Sequence, residues 1–220
     1  IILMKTKKMD IIYEDKELLV VNKPANLLTI GTDKEKIKTL YHEAYEYVHK
    51  KNKNNRIFIV HRLDYETSGI VVFAKNEKMK SYLQNNWNKI AKLRKYYAVV
   101  EGCVKEDKGH IEEYLKEDKT LKTYKTNDST GKLAITDFET IKRSKSYSIL
   151  NITIKTGRKN QIRVALANMN HPIIGDKKYG STKNPLRHMC LHHEELILLL
   201  PGNIERRFYA KVPKYYDIFK

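Results

Sequence analysis

His61-Arg62-Leu63-Asp64-Tyr65-Glu66-Thr67-Ser68-Gly69 runs directly into Ile70-Val71-Val72-Phe73-Ala74-Lys75. The second half is β-branched or aromatic from Ile70 to Phe73, which reads as a buried strand. The first half is a basic, polar loop that ends in the turn residues Thr67, Ser68 and Gly69. Asp64 therefore stands just before a strand, on a loop held by a sheet, where functional side chains are often carried. His61 and Arg62 surround it with positive charge. An arbitrary Asp in an arbitrary loop would be a solvated residue paired with Arg62.

The pattern as a whole decides between these readings. His-Arg-Leu-Asp-x-x-Thr-Ser-Gly, then a hydrophobic run and Ala74-Lys75, resembles the catalytic motif of the RluA-type pseudouridine synthases. The resemblance implies that Asp64 is the catalytic residue, and that His61 and Arg62 contact RNA or support the loop.

A second stretch lies downstream, from Thr156-Gly157-Arg158-Lys159-Asn160-Gln161-Ile162-Arg163-Val164 to His171-Pro172-Ile173-Ile174-Gly175-Asp176. Gly157 and Asn160 suit a helix start. Ile162, Ala165, Leu166 and Met169 form an apolar helical stripe, and Asn170 can take the left-handed conformation that ends a helix. Arg158, Lys159 and Arg163 load the first turns with positive charge, against the helix dipole. An anion at that end, carboxylate or phosphate, would resolve the conflict.

This stretch resembles the second signature of the same family. The resemblance implies that Arg163 pairs with Asp64, that Ile162 walls the pocket, and that Arg158, Lys159 and Gln161 are substrate contacts. Two positions depart from the pattern. Ala165 stands where a His is common, which would alter the rim of the site or its RNA contacts. Asn170 stands where a Gly usually precedes His-Pro.

Between the two signatures, Asn76 suits a helix N-cap, and Met79, Tyr82, Leu83, Trp87 and Ile90 recur at helical spacing. Trp87 reads as core, because it lies on that stripe. Tyr96-Tyr97-Ala98-Val99-Val100-Glu101-Gly102 is a strand by composition. Alternation sends Tyr96 and Tyr97 to opposite faces, so one can face a site while the other packs. Lys-Tyr-x-Ala resembles the family segment whose Tyr packs on the target uracil, which implies Tyr96.

Residues 10–23 read as two short strands around a charged turn, closed by Pro24. They too resemble the family's opening motif. Thr39 can cap a helix to about Lys50, and Ile57 to Val60 reads as a strand into the His61 loop. Asp128 to Lys132 is a turn, because the upstream glycine of a phosphate loop is missing. Lys132–Ile141 and Ser146–Lys155 read as an antiparallel pair. Leu196 to Leu200, the longest apolar run, reads as a strand. His192 and His193, adjacent ahead of it, would point to opposite faces and cannot share a metal.

The chain has 220 residues, enough for one substantial core. It is read as a single catalytic domain over 1–220. Its 43 Lys+Arg against 26 Asp+Glu give a formal charge of +17, which points to a polyanion such as nucleic acid. The many Lys, Asn, Ile and Tyr also fit an AT-rich coding bias, so charge alone does not decide. Cys103 and Cys190 form no Cys-x-x-Cys spacing, which fits neither a zinc site nor a disulfide framework and suits a reducing cytoplasm. Ile1 to Met4 is too short for a signal-peptide core, and no run is long enough to cross a bilayer.

The expectation is an α+β fold, a mixed and largely antiparallel sheet flanked by helices, with a central active-site cleft. The implied reaction isomerises uridine in structured RNA, ribosomal or transfer. It breaks the N1–C1′ bond, turns the base and joins C5 to C1′, with no cofactor and no metal, by a monomer. The target base must leave its stack, at a cost of a few kcal/mol. A non-catalytic RNA-binding protein of the same fold and a metal-dependent nuclease are the alternatives. EDTA sensitivity would mark the nuclease.

Overall fold

The computed structural model describes residues 9–219. The Ile1–Met4 stretch and Lys220 lie outside them. The chain opens with the expected hairpin, β1 (Ile11–Glu14) and β2 (Leu18–Lys23). Its turn is made by Asp15, whose carboxylate accepts from the backbone N–H of Glu17 and Leu18, both at 2.7 Å. Thr39 caps α1 (Leu40–Lys51) by accepting from His42 N at 3.1 Å.

The expected strand at Ile57–Val60 shortens to β3 (Phe58–Ile59), which pairs with the far end of β4 (Ser68–Ala74). The reason is the next rung. Val72 N donates to the His61 ring Nε2 at 3.0 Å, so a side chain satisfies β4 where a third strand residue would have done so.

β4 is buried along its whole length, and its alternation explains why it carries no polar residue from Ile70 to Ala74. Val71 and Phe73 join a core with Leu19, Val21 and Leu40, Ala44 and Val48 of α1. Ile70, Val72 and Ala74 join a second core with Leu18, Val20 and Met79, Leu83 and Ile90 of α2 (Glu77–Ile90). Helices cover both faces, so both sets of side chains must be apolar. Trp87 packs against the α2 core.

β5 (Ala91–Glu101) follows α2 at once and is longer than its sequence suggests. Lys95, Arg94, Leu93 and Ala91 pair with β10 (Leu191–Leu200), so the basic lead-in belongs to the ladder. Next come β6 (Lys108–Glu117), β7 (Thr123–Thr126), β8 (Lys132–Arg143) and β9 (Tyr147–Ile154), then α3 (Gln161–Asn168), β10 and β11 (Ile204–Tyr209). The sheet runs β1-β2-β4-β10-β5-β9-β8-β6-β7, with β11 on β10 and β3 on β4. Among these pairings only β4–β10 is parallel. The architecture is the expected α+β, mixed and largely antiparallel.

The parallel junction dictates Gly69. It pairs with His193 at φ +113°, and a Cβ there would overlap the His193 backbone. Ser68 and Gly69 thus end the Asp64 loop against β10, in the middle of the sheet.

Candidate active site

The loop that carries Asp64 is fixed on both sides by buried polar groups. Thr29 Oγ1 donates to Leu63 O at 2.8 Å and accepts from Leu63 N at 3.2 Å. Lys23 is 0% exposed, and its Nζ donates to Leu27 O at 2.7 Å, Pro24 O at 3.0 Å and Tyr65 O at 3.1 Å. Burial pushes its ammonium down to about 7, with the Asp64 charge pulling the other way. Lys23 clamps the loop after β2 to the loop before β4, a role invisible in a sequence where it reads only as the end of a strand. Lys23→Met keeps the apolar stem but strands those carbonyls in the interior. It should cost about 3 kcal/mol of folding stability, read from urea denaturation.

Arg163 projects from α3 and is only 8% exposed, against 31% for the Asp64 side chain. Its guanidinium is held mainly by a residue the sequence reading did not single out. Asp176 takes Nε and Nη2 in a bidentate pair, both at 2.7 Å, and is itself 0% exposed. Nη1 donates to Asn160 Oδ1 at 3.1 Å and reaches Asp64 Oδ2 at 3.4 Å. The Tyr179 ring lies 4.9 Å beneath the guanidinium. Burial opposes the Arg163 charge, but the Asp176 hydrogen bonds and the charges of Asp176 and Asp64 outweigh it and raise its pKa.

The Asp64–Arg163 pair is therefore real but long. Asp176 does the holding, and Asp64 is left with oxygen lone pairs for another partner. The basic start of α3 is explained as expected, by carboxylates. Lys159 finds Glu117 at 2.5 Å, while Arg163 takes Asp176 and Asp64. Asn160 precedes the helix at φ +54° without a side-chain cap, because its amide serves Arg163 and the Tyr179 hydroxyl instead.

Tyr96 and Tyr97 divide the work that alternation assigned. Tyr97 packs edge-on against Tyr216 at 5.6 Å. Tyr96 lies on the cavity wall, with one ring face stacked on His193 at 4.5 Å and 14°. Burial raises the Tyr96 phenol pKa well above its ordinary value, against the pull of the Arg94 charge and with a smaller push from Asp64. Its hydroxyl stays protonated, so Tyr96 offers an aromatic face and a donor rather than a base.

Asp64, Arg163, Tyr96, Arg62, Arg158, Lys159, Gln161 and Ile162 all line one cavity of about 500 Å³. That is room for a nucleobase and part of its sugar. Of the site residues expected from sequence, only His61 lies off its wall. Its ring stacks on Trp87 at 4.6 Å and takes the Val72 N–H, and burial, then the Arg94 charge, lowers its pKa to about 3. His61 supports the loop as a neutral acceptor, the second of the two roles expected for it.

Gln161 lines the cavity, and its side-chain amide is bonded within the protein. Its carbonyl accepts from Thr156 Oγ1 at 2.7 Å and Arg158 N at 3.0 Å, and its amide donates to Ile135 O at 2.8 Å and Thr136 Oγ1 at 3.0 Å. With its hydrogen-bonding capacity spent internally, it ties the start of α3 to β8 and shapes the wall. Ala165 is 2% exposed and off the cavity, so it does not alter the rim. Asn170 takes φ +63° and ends α3, doing what a Gly would do there.

His192 and His193 are both buried, with separate partners. His192 meets Ser68 Oγ at 2.8 Å, and His193 Nδ1 meets Ile70 O at 2.9 Å. The arrangement as a whole is a half-exposed carboxylate beside a fixed guanidinium and an aromatic wall, under a basic rim of Arg62, Arg158 and Lys159. Such a site can take a flat base against the tyrosine and present an oxygen nucleophile or base to it.

A family model described as RNA pseudouridylate synthase matches residues 17–168. An uncharacterized RNA pseudouridine synthase, YhcT of Bacillus subtilis (strain 168), is 31% identical over 196 residues, which are 88% of this chain and 65% of that one. A ribosomal large subunit pseudouridine synthase D of Borreliella burgdorferi is 32% identical over 217 residues, 95% of this chain and 67% of that one. The chain thus spans about two-thirds of the length of these curated relatives. The solved structure of human RNA pseudouridylate synthase domain containing 4 superposes with a TM-score of 0.77 at 24% identity, over 94% of this chain and 90% of that one. That likeness is one of fold.

Proposed function

The chain belongs to the RNA pseudouridylate synthase family, and from that premise we propose that it isomerises uridine to pseudouridine in structured RNA, with Asp64 as the catalytic carboxylate. The observation that carries the assignment is the geometry at the cavity. Asp64 is 31% exposed and 3.4 Å from a guanidinium that is anchored elsewhere. A carboxylate held in this way is free to react, and Arg163 can follow its charge through the reaction.

In this reading Tyr96 stacks on the uracil, Ile162 closes the pocket, and Arg62, Arg158 and Lys159 meet phosphates at the rim. Arg158 Nε donates to Leu133 O at 2.9 Å, which fixes its guanidinium at the surface. Asp64 reacts with the nucleoside, the N1–C1′ bond breaks, the base turns, and C5 bonds to C1′. C5 then loses its hydrogen to water as a proton, N1 takes up a proton, and Asp64 is released unchanged. Phosphate contacts supply affinity, which falls with salt. Ribosomal RNA is the substrate class we favour, because relatives named for the large ribosomal subunit cover most of the chain.

The test is tritium release from [5-³H]uridine-labelled, folded large-subunit ribosomal RNA made by transcription, with EDTA added to the enzyme before a magnesium-free reaction buffer. Stoichiometric release supports the reading. RNA binding without release would favour the non-catalytic alternative, and strand cleavage without release, abolished by EDTA, would favour the nuclease.

A further inference from the structure

Leu121 is 62% exposed and sits at φ +60°. A leucine in the left-handed region is strained, and an apolar tip in water adds nothing to this fold. Leu121 belongs to none of the hydrophobic clusters. Yet the loop that forces it there is carefully made. Between β6 and β7, the Asp118 carboxylate accepts from Thr120 N at 2.8 Å, Thr120 Oγ1 at 2.7 Å and Lys122 N at 2.9 Å. Asp118 N donates to Lys122 O, and Leu121 N donates to Asp118 O, both at 3.0 Å. The result is a closed tip that pushes one large apolar side chain outward.

The tip also has a fixed register with the site. Leu121 lines the same cavity as Asp64 and Tyr96. Two residues on, Thr123 N donates to the Tyr179 hydroxyl at 3.2 Å, and that hydroxyl donates to Thr123 O at 3.0 Å. Tyr179 underlies Arg163, which reaches Asp64. Lys178 Nζ donates to Leu121 O at 3.4 Å. Lys119 and Lys122 flank the tip and are exposed, ready for phosphate.

From this placement we propose that Leu121 is a wedge. It enters the RNA base stack as the target uridine leaves it and so favours the extruded state. Apolar side chains of this size separate stacked bases elsewhere in nucleic-acid recognition. The proposal rests on the activity read above and adds a residue that selects for bases buried in structured RNA.

The test compares wild type with Leu121→Gly, Leu121→Ala and Leu121→Met on the folded, [5-³H]uridine-labelled ribosomal RNA. Single-turnover release at saturating enzyme reports extrusion and chemistry. Filter binding reports Kd. Leu121→Gly relieves the backbone strain, so its Tm should not fall. The Gly and Ala variants should release tritium about tenfold or more slowly with Kd within about twofold, and Met should restore most of the rate. A Gly variant as fast as wild type, a loss confined to Kd, or a Met variant as slow as Gly would each overturn the wedge. No release from wild type would instead defeat the activity reading, before any variant is compared.

Discussion

Asp64→Asn eliminates tritium release, by at least about 10³-fold, while the protein melts within a degree or two of wild type. The loss is that of a reacting carboxylate replaced by an amide of the same shape, which can neither attack nor take a proton. The unchanged stability follows from the division of labour around Arg163. Asp64 contributes one contact at 3.4 Å from a half-exposed position, worth little to folding. Arg163 keeps its two 2.7 Å bonds to Asp176 and is not orphaned. Single-turnover release and a thermal melt on the same preparation check both halves. Release within tenfold of wild type would remove Asp64 from the chemistry.

Asp176→Asn shows the opposite balance. It replaces a fully buried carboxylate by an amide with a single acceptor and a donor that faces the guanidinium. Arg163 is then a buried cation short of its partner, a situation that costs about 3–5 kcal/mol. Its remaining pull is toward Asn160 and Asp64, so the guanidinium should swing, and Asp64 should lose the orientation that its freedom allowed. A displacement of that kind costs about 10² in rate. Urea denaturation gives the first number and single-turnover release from the surviving folded protein gives the second. A variant as stable as wild type would show that Asp176 does not hold the site.

These two carboxylates also mark the limits of the sequence. Asp64 was legible because nine consecutive positions around it form a distinctive pattern, and Arg163 and Tyr96 because the segments that carry them resemble the family's own; periodicity alone left Tyr96 and Tyr97 open. Asp176 was in plain view after Gly175, but nothing local distinguishes a carboxylate that crosses to a helix from one that simply faces water beside Lys177 and Lys178. Lys23 was hidden for the same reason, since its three acceptors come from two loops that meet only in the fold. His61 and Gln161 show the converse. Their place in a signature implied an RNA contact or a loop support for His61 and a substrate contact for Gln161, and their hydrogen bonds to β4 and β8 could not be read from that pattern. Most strands were readable from composition, β6, β7 and β11 excepted, but not their order. Composition cannot show that β10 inserts between β4 and β5, or that Leu93 to Lys95 lie in the ladder.

That insertion has a consequence for how the enzyme comes into being. Asp64 and Arg163 are 99 residues apart, and the Ser68–His192 bond beside the parallel junction spans 124. Closing such loops is entropically expensive and is repaid only when the last central strand docks. The contact order of the reaction centre is therefore high, and its parts meet late on the folding pathway. An emerging chain that has already made the first hairpin, α1 and α2 still lacks the strand against which the Asp64 loop is set. It carries Asp64 but neither Arg163 nor the strand that positions the pair.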